Sequence, residues 1–185
     1  MPRFDLPNAA PEPLRRVQLF VNTASVVEHR AEWLPTPAVL AAWLDENDSQ
    51  ATGKPTKADL DRALALREAL RELLRQNNTG EEATDAAAVM NDAAARAELG
   101  LVLDEAGELH LDVRATGINA ALGRIVAVAY GAMLDGSWGR LKVCRKCCWA
   151  FYDPSNNRSG TWCSMQLCGN RSKTRAYRQR QAGGK

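Results

Sequence analysis

Cys144-Arg145-Lys146-Cys147-Cys148 and, after fourteen intervening residues, Cys163-Ser164-Met165-Gln166-Leu167-Cys168 hold all five cysteines of this 185-residue chain. Two close pairs separated by a short excursion suit a tetrahedral zinc site, because a tight turn brings both sulfurs of a pair to ~2.3 Å from one ion. The expected ligands are Cys144, Cys147, Cys163 and Cys168. Four thiolates leave no open position for water or substrate, so one Zn(2+) here is structural. Cys148 is a spare: it competes with Cys147, but two intervening residues make the commoner turn. Reduced buried cysteines are the plain alternative, and an iron–sulfur cluster ranks below zinc because no ferredoxin-like spacing is present. The chain opens Met1-Pro2-Arg3-Phe4-Asp5 without the apolar run of a signal peptide. With an odd, clustered cysteine count, that argues against a disulfide framework and for a reducing, cytoplasmic setting.

Between the pairs run Trp149-Ala150-Phe151-Tyr152-Asp153, the turn-rich Pro154–Gly160, and Thr161-Trp162. This pattern predicts a short hairpin leading back to the metal, with Trp149, Phe151 and Trp162 as a small core. So small a unit draws most of its folding free energy from the ion. Beyond Cys168 the sequence predicts a helix. Arg171, Arg175 and Arg178 share one face, with Lys173 and Arg180 on a neighbouring one. Residues 140–185 carry 11 Lys and Arg against one acidic residue, Asp153, whereas residues 1–139 carry 13 basic and 21 acidic groups. A basic end on an acidic chain points to a polyanion, DNA or RNA; the bland reading is a solvated helix drawn to the acidic body. A helix fits the major groove, and its cations neutralise phosphates.

Upstream the pattern is mainly α. Apolar residues at Val17, Phe20, Val21, Ala24 and Val27 predict a helix over 15–30. Thr36-Pro37 opens a second, with Val39, Leu40, Trp43 and Leu44 on its face. Thr56 and Asp59 fit a loose capping box before a helix with a leucine stripe ending near Asn77-Asn78. An alanine-rich helix follows over 81–98. Leu101–Leu103 and Leu109–Val113 flank a glycine-containing turn, the one β-hairpin predicted in the body. Thr116–Leu134 is apolar enough to be the central core helix. No stretch reaches the ~18 consecutive apolar residues of a membrane span. The body offers no acid, base and nucleophile set, so no enzyme is expected. His29 and His110 lack ligand-type spacing. Trp33 and Trp43 read as core.

The finger residues resemble the CGNR zinc finger: Cys144-x2-Cys147, Phe151, Asp153, Ser155, Asn157, Arg158, Trp162-Cys163-Ser164-Met165 and Cys168-Gly169-Asn170-Arg171-x-Lys173. The resemblance implies a DNA-binding module with the same four cysteines as ligands. One departure is Gly160-Thr161, where the family commonly has basic residues. Val21-Asn22-Thr23, the Trp43-Leu44 helix end, the Leu/Arg/Glu helix and the last apolar helix resemble the ABATE domain of stress-induced transcription regulators. That resemblance implies a helical body for ligand sensing or dimerisation. Asn22, polar in an apolar stretch, lines a ligand pocket or bonds backbone. The expected organisation is a flexible arm over 1–13, a regulatory domain over 14–139, a zinc finger of β-hairpin and helix over 140–180, and a disordered tail over 181–185. Expected partners are DNA, with RNA as the alternative, a small-molecule effector and a second copy of the chain, but no membrane. A further alternative is an enzyme or ligand-binding body with the finger as scaffold.

Overall fold

The computed structural model describes residues 8–25, 27, 31–47 and 53–170. Helix α1 spans Leu14–Val21, shorter than the periodicity predicts. Beyond Val21 the Thr23 hydroxyl donates to the Phe20 carbonyl at 2.7 Å. The chain then turns into strand β1, Ala24–Ser25, antiparallel to β2, Ala31–Glu32. Helix α2 (Pro37–Asn47) buries Leu40, Trp43 and Leu44, while Val39 stays exposed.

Helix α3, Lys57–Thr79, is the scaffold. Its start is a complete capping box: the Asp59 N–H donates to Thr56 Oγ1 at 3.2 Å, and the Thr56 N–H donates to Asp59 Oδ2 at 2.7 Å. Gly80, at φ +77°, ends it and returns an N–H to the Gln76 carbonyl at 2.8 Å. Leu60, Ala63, Leu66, Leu70 and Leu74 are buried along one stripe. Helix α4 (Ala86–Arg96) is shorter than the alanine-rich run, with only Ala86 buried. The hairpin β3 (Leu99–Leu103) and β4 (Leu109–Val113) turns through Gly107 at φ +80°. Helix α5 (Gly117–Leu134) has a mean hydropathy of 1.4, high enough by length and composition to cross a membrane. Here Leu122, Ile125, Val126 and Ala129 pack instead with α1 and α3 in the main core.

A 3-10 turn, Trp138–Arg140, leads into β5, Leu141–Val143, antiparallel to β6, Ala150–Tyr152. These strands flank the first cysteine pair. The hairpin expected from the segment between the pairs is therefore displaced: residues 153–162 run as a loop held by side-chain bonds. A single π-helical turn, Met165–Gly169, carries Cys168.

The finger's strands join the core of the body. Leu141, Val143 and Ala150 are buried in the same cluster as Phe20, Leu70, Leu74 and Ile125. The stretch expected to be a loose arm joins them: Ala10 is buried, and the Asn8 carbonyl accepts from the Tyr152 N–H at 3.0 Å. Residues 1–7, 171–180 and 181–185, and with them part of the arm, the predicted basic helix and the tail, lie outside the described residues, as does His29.

Candidate metal centre

The first ligand turn is built by backbone. The Cys148 N–H donates to the Cys144 carbonyl at 3.0 Å, and the Cys144 N–H to the Trp149 carbonyl at 2.9 Å. Cys148 takes the positive φ, 59°, that this sharp return needs. The second pair comes from the π-helical turn, whose start is capped by Ser164 Oγ accepting from the Leu167 N–H at 3.3 Å.

These two turns bring Cys144, Cys147, Cys163 and Cys168 together. All four Sγ atoms lie within 4.8 Å of one another and all four residues are buried. Cys147 Sγ is 3.4 Å from Cys163 Sγ, and Cys163 Sγ is 3.7 Å from Cys168 Sγ. A tetrahedral ion with bonds of ~2.3 Å sets its sulfurs about 3.8 Å apart, so the site fits zinc. Cys148 stands outside the group, half-buried against the main core.

The thiols alone share charge poorly. S–H donation from Cys147 and Cys163 drives the Cys144 thiol down, aided by the backbone amides of those residues. Donation to Cys144 and burial drive Cys147 up, and Cys163 is likewise pushed up by Cys144. Burial raises Cys168. The cluster thus accommodates a first negative charge and resists further ones, which a divalent cation at its centre reverses. Four thiolates leave the ion no vacant position, so its contribution is cross-linking.

Around the sulfurs lie Trp149 and Phe151, with Trp162 partly buried beside them, as the sequence predicts. Trp33 is different. It packs on the finger, its ring 5.8 Å from that of Trp149, while Trp43 faces Phe20 in the helical core at 5.3 Å.

Body side chains grip the finger's backbone throughout. Asn22 Nδ2 donates to the Ala150 carbonyl at 3.0 Å, and the Ala150 N–H donates to Asn22 Oδ1 at 2.8 Å. Asn22 thus takes the backbone-bonded alternative, and it lines neither of the two hollows described below. Gln18 Nε2 reaches the same carbonyl at 3.1 Å. From α3, Asn78 Nδ2 donates to the carbonyls of Val143 at 2.7 Å and Thr161 at 3.1 Å. Arg71, 4% exposed, donates to the Cys148 carbonyl at 2.9 Å and the Val21 carbonyl at 2.6 Å. Arg67 is equally buried and meets Glu32 through both guanidinium ends, at 2.8 and 2.7 Å. The interleaved charges of α3 suggest a solvated face, yet these two arginines sit within the width of its leucine stripe.

A second buried pair braces the loop between the cysteine pairs. Lys142 Nζ donates to Asp153 Oδ2 at 2.9 Å, and both side chains are under 5% exposed. The same ammonium also reaches the carbonyls of Arg158 and, at 3.2 Å, Gly160. Asp153 accepts from the Ser155 hydroxyl at 2.7 Å and the Gly160 N–H at 2.7 Å. Burial pushes the Asp153 carboxyl up, but Ser155, Lys142 and the amides outweigh it and hold it well below the usual range. A Cβ on residue 160 would stand 2.8 Å from that carboxylate, so any larger residue there displaces Asp153. Lys142 is thus internal, Arg140 is half-buried on the Asp153 and Ser155 carbonyls, and Arg145, though exposed, is tied to Asn78. The finger's other cations are the half-buried Lys146, the exposed Arg158 and, outside the described residues, Arg171, Lys173, Arg175, Arg178 and Arg180.

A helical body whose core is completed by a four-cysteine zinc finger defines the class. Residues 14–137 match the ABATE family, described as a "putative stress-induced transcription regulator", and residues 140–181 match the CGNR zinc finger. The chain belongs to the ABATE family and carries a CGNR finger at its carboxyl end. No curated protein matches it.

Proposed function

We propose that this protein is a non-enzymatic, cytoplasmic transcription regulator that binds duplex DNA through Arg171, Lys173, Arg175, Arg178 and Arg180. The observation that carries this reading is the four-sulfur site that ends at Cys168, two residues before the basic segment begins after Asn170. Zinc there ties the chain at Cys168 to the body, three residues before Arg171. The family's description as a transcription regulator points the same way. Five phosphate contacts give a log–log salt slope of about −4 to −5. Fluorescence anisotropy of labelled duplex with zinc-loaded protein, across a salt series, tests this. The reading fails if binding is absent or indifferent to salt. Structured RNA as competitor tests the RNA alternative, since the same cations serve either polymer.

The body supplies a place for an effector. Helices α3, α4 and α5 enclose a hollow of about 320 Å³ lined by Ala65, Leu66, Val89 and Leu122, with Arg62 and Arg96 also in its wall. Its size lies near the lower end of ligand pockets, ~300–1,000 Å³. Asp92 also lines it and pairs with Arg96 at 2.7 Å, while Arg62 pairs with Asp59, so the apolar walls suit a small apolar effector. An effector of this kind raises Tm in a concentration-dependent way.

A further inference from the structure

The β3–β4 register places Leu99, Leu101, Leu103, Leu109, Leu111 and Val113 on one face of the hairpin, with Gly100, Val102, His110 and Asp112 on the other. The base of the leucine face is half-covered: Val113 lies beside α5 at Gly123. The outer half is not. Leu101, Leu103 and Leu109 are 62%, 66% and 63% exposed, and Leu134 at the end of α5 is 73% exposed. The hairpin stands off α5 and leaves a groove of about 560 Å³ lined by Ala127, Gly131, Ala132, Leu101, Leu109 and Leu134, with Glu12, His110 and Asp135 as its charged and titratable members.

We propose that this face binds a second copy of the chain in a two-fold dimer. These four leucines uncover on the order of 500 Å². That is at the upper end for a monomer's largest patch, ~300–600 Å², and over half of the ~800 Å² each partner contributes to a standard interface. A two-fold interface needs one patch that is complementary to itself. This patch is, because it carries a projecting leucine-bearing hairpin and, beside it, a recess lined in part by small residues. Each hairpin enters the other copy's groove. The hairpin also needs the cover: among the described residues β3 and β4 pair only with each other, and a lone two-stranded sheet is marginal in water. The proposal stands on this surface alone and is independent of DNA binding.

Sedimentation velocity of the zinc-loaded full chain from ~1 to ~100 µM measures the outcome directly. The expected species has twice the 20.2 kDa chain mass. Leu109→Glu places a charge on the exposed face. Gly131→Leu fills the groove from a position where a Cβ meets nothing within 4 Å. Each change enters a two-fold interface twice and weakens association by at least ~10-fold. Circular dichroism and zinc content confirm that both variants remain folded. The proposal is overturned if the wild type stays monomeric throughout, or if the dimer tolerates both substitutions. It is equally overturned if the monomer instead sediments with neutral phosphatidylcholine vesicles, which assigns the leucines to a lipid surface.

Discussion

Asn22 and Ala150, 128 positions apart, exchange two hydrogen bonds as if they were neighbours in a sheet, at 3.0 and 2.8 Å. The side-chain amide of the first helix thereby satisfies both backbone groups of a finger residue that is itself 0% exposed. Asn22→Ala leaves the buried Ala150 N–H without its partner and its carbonyl to Gln18 alone, at a cost of about 1–3 kcal/mol. Urea denaturation measures this. A loss below ~0.5 kcal/mol, the scale of an ordinary surface change, contradicts the structure.

Zinc removal reaches the helices. Leu141, Val143 and Ala150 share the main core, so a strong chelator lowers the Tm of the entire chain in one cooperative transition. Cys163→Ser does the same and abolishes stoichiometric zinc. Calorimetry that shows a body transition unmoved by chelation refutes the shared core.

Lys142 and Asp153 behave asymmetrically under mutation. Lys142→Met leaves a buried carboxylate without its cation and costs about 3–5 kcal/mol. The wild-type pair also fixes the acid response. The folded Asp153 carboxyl is held below its unfolded value, so its contribution is complete above about pH 4 and fades as pH falls below that. In Lys142→Met the folded value rises, and acid unfolding begins at higher pH. Stability curves from pH 2 to 7 compare the two proteins.

Gly123 separates α5 from the end of α4. A Cβ there would lie 2.2 Å from Ala97 Cβ. Gly123→Ala gains about 1 kcal/mol of helix propensity yet is destabilising on balance, because overpacking costs ~1–3 kcal/mol. Adding Ala97→Gly restores much of the loss, which a double-mutant cycle detects.

Much of this molecule could be read from its residues. The four ligands followed from spacing, because a tight turn around a metal is local geometry. The capping box and leucine stripe of α3 were legible for the same reason. What escaped depends on distance along the chain. Nothing near Asn22 announces Ala150, so the helix was drawn too long. Nothing near Arg67 announces Glu32, so the burial of that arginine has no local sign. Lys142 counted toward a polyanion surface until Asp153 claimed it. The one departure from the finger's pattern, Gly160, acquired a cause only once the carboxylate lay against it.

The seam between helical body and finger is also where the two depend on each other most. Cutting the chain before Arg140 removes Leu141 and Val143 from the floor of the core and leaves the amides of Gln18, Asn22 and Asn78 reaching for carbonyls that are gone. Neither fragment is a finished protein. A chain built this way has no hinge between its helices and its sulfurs, because the carbonyls held by α1 and α3 lie on the strands that flank the first cysteine pair.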